Sequence, residues 1–480
     1  MPNRYLEGGF APIAEEYTLT DLSVTGHIPD YLDGRYLRNG PNPVGQIDPD
    51  FYHWFIGDGM VHGVRLVDGT AQWYRNRYVR GPQTAAALGE PARPGRHIGP
   101  SGIGANTNVI GHAGRTLALI EGGISCYELT DDLDTVGTCD FDGTLSGGYT
   151  AHPKRDPDTG ELHAVSYSFH RGHRVQYSVI GTDGRARRTV DIEVTGSPMM
   201  HDFSLTENHV VLYDLPVTFD ARQAVASSVP RALRLPARLI MSAVIGRVRI
   251  PDPIAARIPP PKGTDRSMPY RWNPRYPARV GVLPRDGGAG DVRWFEVEPC
   301  YVFHPLNAYD DGDTIVLDVV RHPKMFDTEM RGPDEGPPTL ERWTVDLLDG
   351  KVRESRIDDR PQEFPRVDER LVGKRHRFGY AVGVGDAAPN STLLKHDLVG
   401  DSTTVRSFGD GKQVGEFVFH PATPDAAEDD GVVMGFVYDC ATDTSELAIL
   451  DAATLQDVAS VHLPHRVPAG FHGNWVPSGQ

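Results

Sequence analysis

Short apolar runs recur along almost the whole chain, and clusters of Asp and Gly cut them apart. Thr116–Ile120, His209–Leu215, Thr314–Val320, Val432–Tyr438 and Glu446–Leu450 are such runs; Asp310-Asp311-Gly312-Asp313, Asp349-Gly350 and Asp429-Asp430-Gly431 are such dividers. An apolar run too short for a helix and bounded by turn-forming residues reads as a strand. Segment 53–75 shows the unit clearly: two runs meet at Asp68-Gly69, a pair suited to a tight hairpin. By contrast RNGPNPVG, residues 38–45, is expected to lie outside regular structure, because Gly40, Pro41 and Pro43 disfavour it. Convincing amphipathic helices are few, and 52 Gly with 39 Pro suit a chain made of turns. The expected class is all-β.

At 480 residues, length alone would suggest about three domains, but propellers and barrels run long as one unit. We expect a single unit over 1–480. Segment 221–262 stands apart from it: seven Arg and one Lys face a single acid, Asp252, inside a chain of net charge −17. It reads as an insertion, part of a cap packed on the body or of a membrane-contact region. The acidic balance, 65 Asp and Glu against 48 Lys and Arg, argues against a nucleic-acid partner. Cys126, Cys139, Cys300 and Cys440 show no C-x-x-C spacing and fit reduced thiols in a cytoplasmic protein. MPNRYLEGGF holds no apolar signal core, and no run of eighteen apolar residues is present.

Four histidines share one setting. His152, His201, His304 and His472 each stand beside a strand-like run and are bounded by Gly, Pro or Asp. Imidazole is the commonest metal-binding side chain, and such a set suits Fe, Zn, Cu or Ni. A lone histidine of this kind is usually a loop residue, so the spacing matters. The gaps are 49, 103 and 168 residues, roughly one, two and three units of about fifty. Glu121, Glu363 and Glu416 fall near the missing marks, and the longest single step, 201 to 304, contains the insertion. Seven marks at this spacing predict a seven-bladed β-propeller with one polar residue per blade aimed at the axis.

The motifs RNGPNP, HWFIGDGMVHGVRL, ANTNVIGHAGRTLALIEGG, TAHPKRDPDTGEL, MMHDFSLTENHVVL, FHPLNAYDD, EDDGVVMGFVYD and PAGFHGNW resemble the carotenoid cleavage oxygenases, over roughly 36 to 476. That resemblance implies a seven-bladed propeller with a helical or loop cap over the face bearing one non-haem Fe(2+). It implies His152, His201, His304 and His472 as iron ligands, with Glu121, Glu363 and Glu416 behind them. A histidine that gives one nitrogen to metal carries its proton on the other, and a carboxylate accepting that N–H fixes ring and tautomer. Three glutamates serve at most three of the four histidines one-to-one; sequence leaves open which is left out. His62 and His112, though inside these motifs, are expected to be structural.

The activity this resemblance implies is cleavage of a conjugated C=C bond in a carotenoid or apocarotenoid by O2, giving two carbonyl products. No side chain need act as acid or base. Alternatives are a stilbene-cleaving dioxygenase of the same family, an isomerase acting without O2, and a propeller that only binds a ligand. Stilbene-cleaving relatives usually carry Lys where this chain has Ile120, which favours a hydrophobic polyene. Ile120, Phe303 and Phe471, with Trp54, Phe55, Tyr301 and Trp475, are candidates to line an apolar tunnel. Because carotenoids reside in bilayers, peripheral membrane contact is expected through 221–262, where arginines surround Leu239-Ile240-Met241 and Val244-Ile245.

Overall fold

The computed structural model describes residues 3–98, 104–228, 235–237, 268–385 and 390–479. Its strands form seven antiparallel sheets arranged as the blades of a propeller, plus one two-stranded sheet. Blades 2, 3, 5 and 6 are simple four-strand meanders that begin with Asn108–His112, Lys154–Arg155, Tyr301–Asp311 and Gln362–Arg366. Blade 4 begins with Phe203–Leu205 and blade 7 with the broken strand Lys412–Val414 and Val418–Pro421. These first strands lie nearest the axis and touch one another across blade boundaries.

Burial follows from that position. Tyr301–Asp311 is buried for most of its length. The outermost strand of the same blade, Lys351–Asp358, sets exposed Lys351, Arg353, Ser355 and Arg356 among half-buried residues. Charged outer strands discourage edge-to-edge pairing between molecules. Between blades the cores are continuous: the largest cluster runs from Val165 and Tyr177 through Phe203 and Leu212 to Trp343. Hairpin chemistry is as expected at Asp68-Gly69, where both residues take positive φ, 50° and 68°, between Gly59–Val67 and Thr70–Tyr78.

Blade 1 closes the ring. Its axial strand, Gly473–Pro477, comes from the far end of the sequence and pairs with Gly34–Pro41. A second clasp pairs Ser23–Gly26 with Asp457–Leu463 of blade 7. Here the expectation for residues 38–45 fails. Arg38-Asn39-Gly40-Pro41 is the end of a buried strand, paired with Gly59–His62. Pro41 occupies the terminal position, where a missing N–H breaks no ladder interior. Gly40 is required by close approach: a Cβ there would lie 2.6 Å from the Cα of Gly470.

Blade 4 is interrupted between its second strand, His209–Asp214, and its third, Arg279–Pro284. Val217–Phe219 and Tyr270–Trp272 pair at the base of that excursion. The basic segment 221–262 therefore leaves from blade 4, inside the long step from His201 to His304. Its described parts are the helix Ala221–Ser228 and residues 235–237; the expected contact residues 239–250 lie outside the described residues.

Candidate metal centre

Each of the seven marks belongs to a different blade. His152 and His201 stand two residues before the axial strands of blades 3 and 4, and His472 directly precedes that of blade 1. His304 and Glu363 lie within the axial strands of blades 5 and 6, and Glu416 sits in the break of blade 7. Glu121 differs, following the second strand of blade 2, Arg115–Leu119.

Local backbone irregularities aim these side chains. The ladder shifts register between Val302 and Pro305, around His304, and again between Glu363 and Arg366. Bulges of this kind re-aim a side chain at the rim of a site. Phe364, inside the second bulge, takes φ +53°, a conformation costing about 1–3 kcal/mol in a non-glycine residue. Its ring stacks on His304, with centroids 5.6 Å apart. His472 is held through its backbone: its carbonyl accepts from Asn39 N–H at 3.0 Å and its N–H donates to Thr107 at 3.1 Å.

The four histidines are all buried, and one nitrogen from each lies within 4.8 Å of all the others. Nε2 of His201 and Nε2 of His304 are 3.1 Å apart. Metal–nitrogen bonds of about 2.1 Å would place neighbouring ligands about 3 Å apart and opposite ones about 4.2 Å apart. The donor set therefore fits a single metal ion. The glutamates pair as the chemistry requires. His304 Nδ1 lies 2.6 Å from Glu363, and His472 Nδ1 lies 2.9 Å from Glu416. Glu121 Oε1 is 2.6 Å from His201 Nδ1, out of line for a straight hydrogen bond, and 3.2 Å from His152 Nε2. Glu121 is thus shared between His201 and His152, and Asp202 stands 3.8 Å from His152 Nδ1.

A model of the retinal pigment epithelial membrane protein (RPE65) family matches residues 10–477. A carotenoid cleavage oxygenase of Mycobacterium tuberculosis is 61% identical, covering 99% of this chain and 98% of its own. The chain belongs to the carotenoid cleavage oxygenase family. It is accordingly an oxidoreductase of the dioxygenase type. Two solved members of this oxygenase family share the architecture. A lignostilbene dioxygenase from Pseudomonas brassicacearum aligns at 26% identity and TM-score 0.81, covering 99% and 98% of the two chains. A cobalt-substituted apocarotenoid oxygenase from Synechocystis aligns at 26% identity and TM-score 0.79, covering 98% of each.

Electrostatics in the oxygenase site favour neutral His152 and His304 and ionised Glu363 and Glu416, the forms a metal needs. Burial, reinforced by the neighbouring imidazoles of His201, His472 and His304, holds His152 well below the ordinary imidazole range. Burial lowers His304 too, against the pull of Glu363. On the carboxylates burial acts the other way and is overcome. His304 and His322 hold Glu363 far below the usual range. Arg366, His472 and the Gly473 amide hold Glu416 at about 2.

Several partners in this shell were not singled out from sequence. His322 Nε2 lies 2.9 Å from the free oxygen of Glu363. Tyr167 donates to Glu121 at 2.7 Å. Arg366 reaches Glu416, Glu369, Asn474 and the Gly473 carbonyl. Three carboxylates around one site call for a nearby cation, the one signal that pointed to Arg366, which is shared between Glu416 and Glu369. His62 Nδ1 lies 2.9 Å from the Tyr74 hydroxyl and His112 Nε2 lies 2.9 Å from the Gly181 carbonyl.

Of the candidate tunnel residues, Phe303 packs edge-on against His201, with centroids 4.8 Å apart. Phe471 packs on Trp54 at 4.6 Å and Phe55 at 5.5 Å, and Phe55 reaches Phe303 at 5.7 Å. Tyr5 and Phe10 extend this aromatic cluster over the histidines. Among the described residues the cover over this face is thus loops and short 3-10 turns. Ile120 is buried beside Glu121 but packs with Val61, Val79 and Tyr127.

Proposed function

We propose that this chain is an Fe(II)-dependent dioxygenase that cleaves a conjugated C=C bond of a carotenoid or apocarotenoid, adding one oxygen atom of O2 to each new carbonyl. The observation that carries this reading is the four-histidine ring with no carboxylate in it, backed by carboxylates on three of its members. When bound, iron would supply the open coordination positions and the electrons that O2 chemistry needs.

The protein's own residues do the rest. His152, His201, His304 and His472 would present neutral nitrogens, leaving the ion its full charge. Glu121, Glu363 and Glu416 hold those rings against rotation. Phe55, Phe303, Phe364 and Phe471 form an apolar wall next to the ring and would exclude water while seating a flat polyene. The reaction consumes one alkene and one O2 and yields two carbonyls, so no proton is moved and no acid or base is required. Relatives described as carotenoid and apocarotenoid oxygenases support the substrate class.

Metal analysis and turnover with isotopically labelled O2 test this together. The expected result is one iron per chain, lost on His→Ala at 152, 201, 304 or 472, with label in both carbonyl products. Full iron in any one variant removes that residue from the set. Absence of label, or turnover without O2, sinks the dioxygenase reading.

A further inference from the structure

The ring of histidines has two unlike sides. On one lie the aromatic rings of Phe303, Phe364 and Phe471. On the other is a cavity of about 310 Å3 along the propeller axis, reached by His152, His304 and His472 but not by His201. Its volume accommodates about ten waters at about 30 Å3 each. About half of the residues lining it are polar or charged, among them Lys154, Asp202, Arg366, Asp368 and Glu369, and the rest are apolar, such as Ile110, Leu306 and Trp475. Exposure rises along it, from 2% for the side chain of Glu416 beside the ring to 54% for Glu369 at the outer end.

A hydrated dication cannot cross an aromatic wall without shedding water to groups that offer it nothing in return. The cavity offers both water and carboxylates. Apart from Glu416, which His472 and Arg366 engage at the ring, each acid on it has a basic partner: Asp202 with Lys154 at 2.8 Å, Glu369 with Arg366 at 2.7 Å, Asp368 with Arg370 at 2.6 Å. Asp202 is the innermost of these. It is buried, its Oδ1 is held by the Phe203 amide, and its other oxygen is shared between Lys154 and the approach to His152 Nδ1.

We propose that the metal reaches and leaves the four-histidine site through this axial cavity, not through the aromatic side. Asp202 is the carboxylate that receives the ion as it sheds water, and Lys154 slows that step by occupying Asp202. The inference rests on the metal-centre reading given above.

The test follows Co2+ uptake by the metal-free full-length protein, read from the absorbance of the bound ion. Lys154→Gln, which frees Asp202, is expected to speed uptake about tenfold at low salt, an advantage that shrinks as salt is added. Asp202→Asn is expected to slow it. Ile110→Trp, which narrows the cavity at a half-buried position, slows uptake without changing the final stoichiometry. Phe55→Trp, which thickens the aromatic wall, leaves the rate where it was. Unchanged rates in Lys154→Gln and Asp202→Asn overturn the proposal, whether or not Ile110→Trp folds. Slowing by Phe55→Trp alone moves the route to the aromatic side and also overturns it. A parent protein that takes up no Co2+ at saturation refutes the metal-centre reading itself, an outcome distinct from either.

Discussion

His322 and Glu363, 41 residues apart in sequence, meet at 2.9 Å behind the ring of histidines. The contact uses the carboxylate oxygen that His304 leaves free. His322 would therefore act on a bound metal at two removes, by stopping Glu363 from rotating. Replacing groups that orient metal ligands costs about 10- to 100-fold in metal affinity. Glu363→Gln is expected to fall in that range and His322→Leu at its lower edge, with His322→Gln, which keeps a donor, recovering part of the loss. Competition with a metal chelator measures all three. A purely structural role for His322 would lower the melting temperature and leave the affinity alone.

We propose that substrate preference reflects the aliphatic environment at Ile120, next to Glu121. A phenol brought there would lose its hydrogen bonds to water and find none in return. Cleavage of apocarotenals is expected to exceed cleavage of a hydroxystilbene such as resveratrol, in assays that identify products by mass. Efficient stilbene cleavage with no activity on any apocarotenal reverses the assignment.

Segment 221–262 concentrates positive charge on an acidic protein. We propose that it touches anionic membrane surfaces; each basic residue there contributes about 1 kcal/mol. No helix among the described residues is long and apolar enough to cross a bilayer. Co-sedimentation with anionic vesicles is expected, weakening with salt and disappearing when 229–250 is replaced by a Gly/Ser linker. Equal binding by the linker variant would move the contact elsewhere.

Acid lability should come from histidines away from the metal. Burial lowers His53 to about 3, and His163 and His396 to about 4, against an ordinary 6.5. In the unfolded chain these groups take up protons below pH 6.5, while the folded chain keeps them neutral. The unfolded state thus binds more protons between about pH 4 and 6.5, and stability falls as pH falls through that window. Each group contributes a slope of up to about 1.4 kcal/mol per pH unit. Urea titrations at several pH values should show this slope, and His163→Gln should reduce it by one such increment. An unaltered slope would mean that His163 does not titrate between the two states.

The spacing of seven polar residues made the blade count legible, because each blade consumes a similar length of chain and offers one residue to the axis. Glu121, which leaves from a second strand, is the mark out of step, only 31 residues before His152. The strand through Arg38–Pro41 was missed because Gly and Pro were weighed as local breakers. Their role there is set by a segment more than 400 residues away, which Gly40 admits to close contact. The pairing of Glu363 with His304, and the presence of His322 and Arg366 around them, depend on bulges that no residue pattern announces. The axial cavity was equally hidden, since its walls are assembled from one or two residues of many strands.

Closure of blade 1 by Gly473–Pro477 sets an order of events during synthesis. His152, His201 and His304 are all made long before His472, so the growing chain carries three quarters of a metal site with no fourth side. The set becomes complete only when the last strand threads between blades 7 and 2 and locks the circle. Capture of a metal there would thereby be tied to ring completion: a chain whose propeller has not closed presents an incomplete set of histidines.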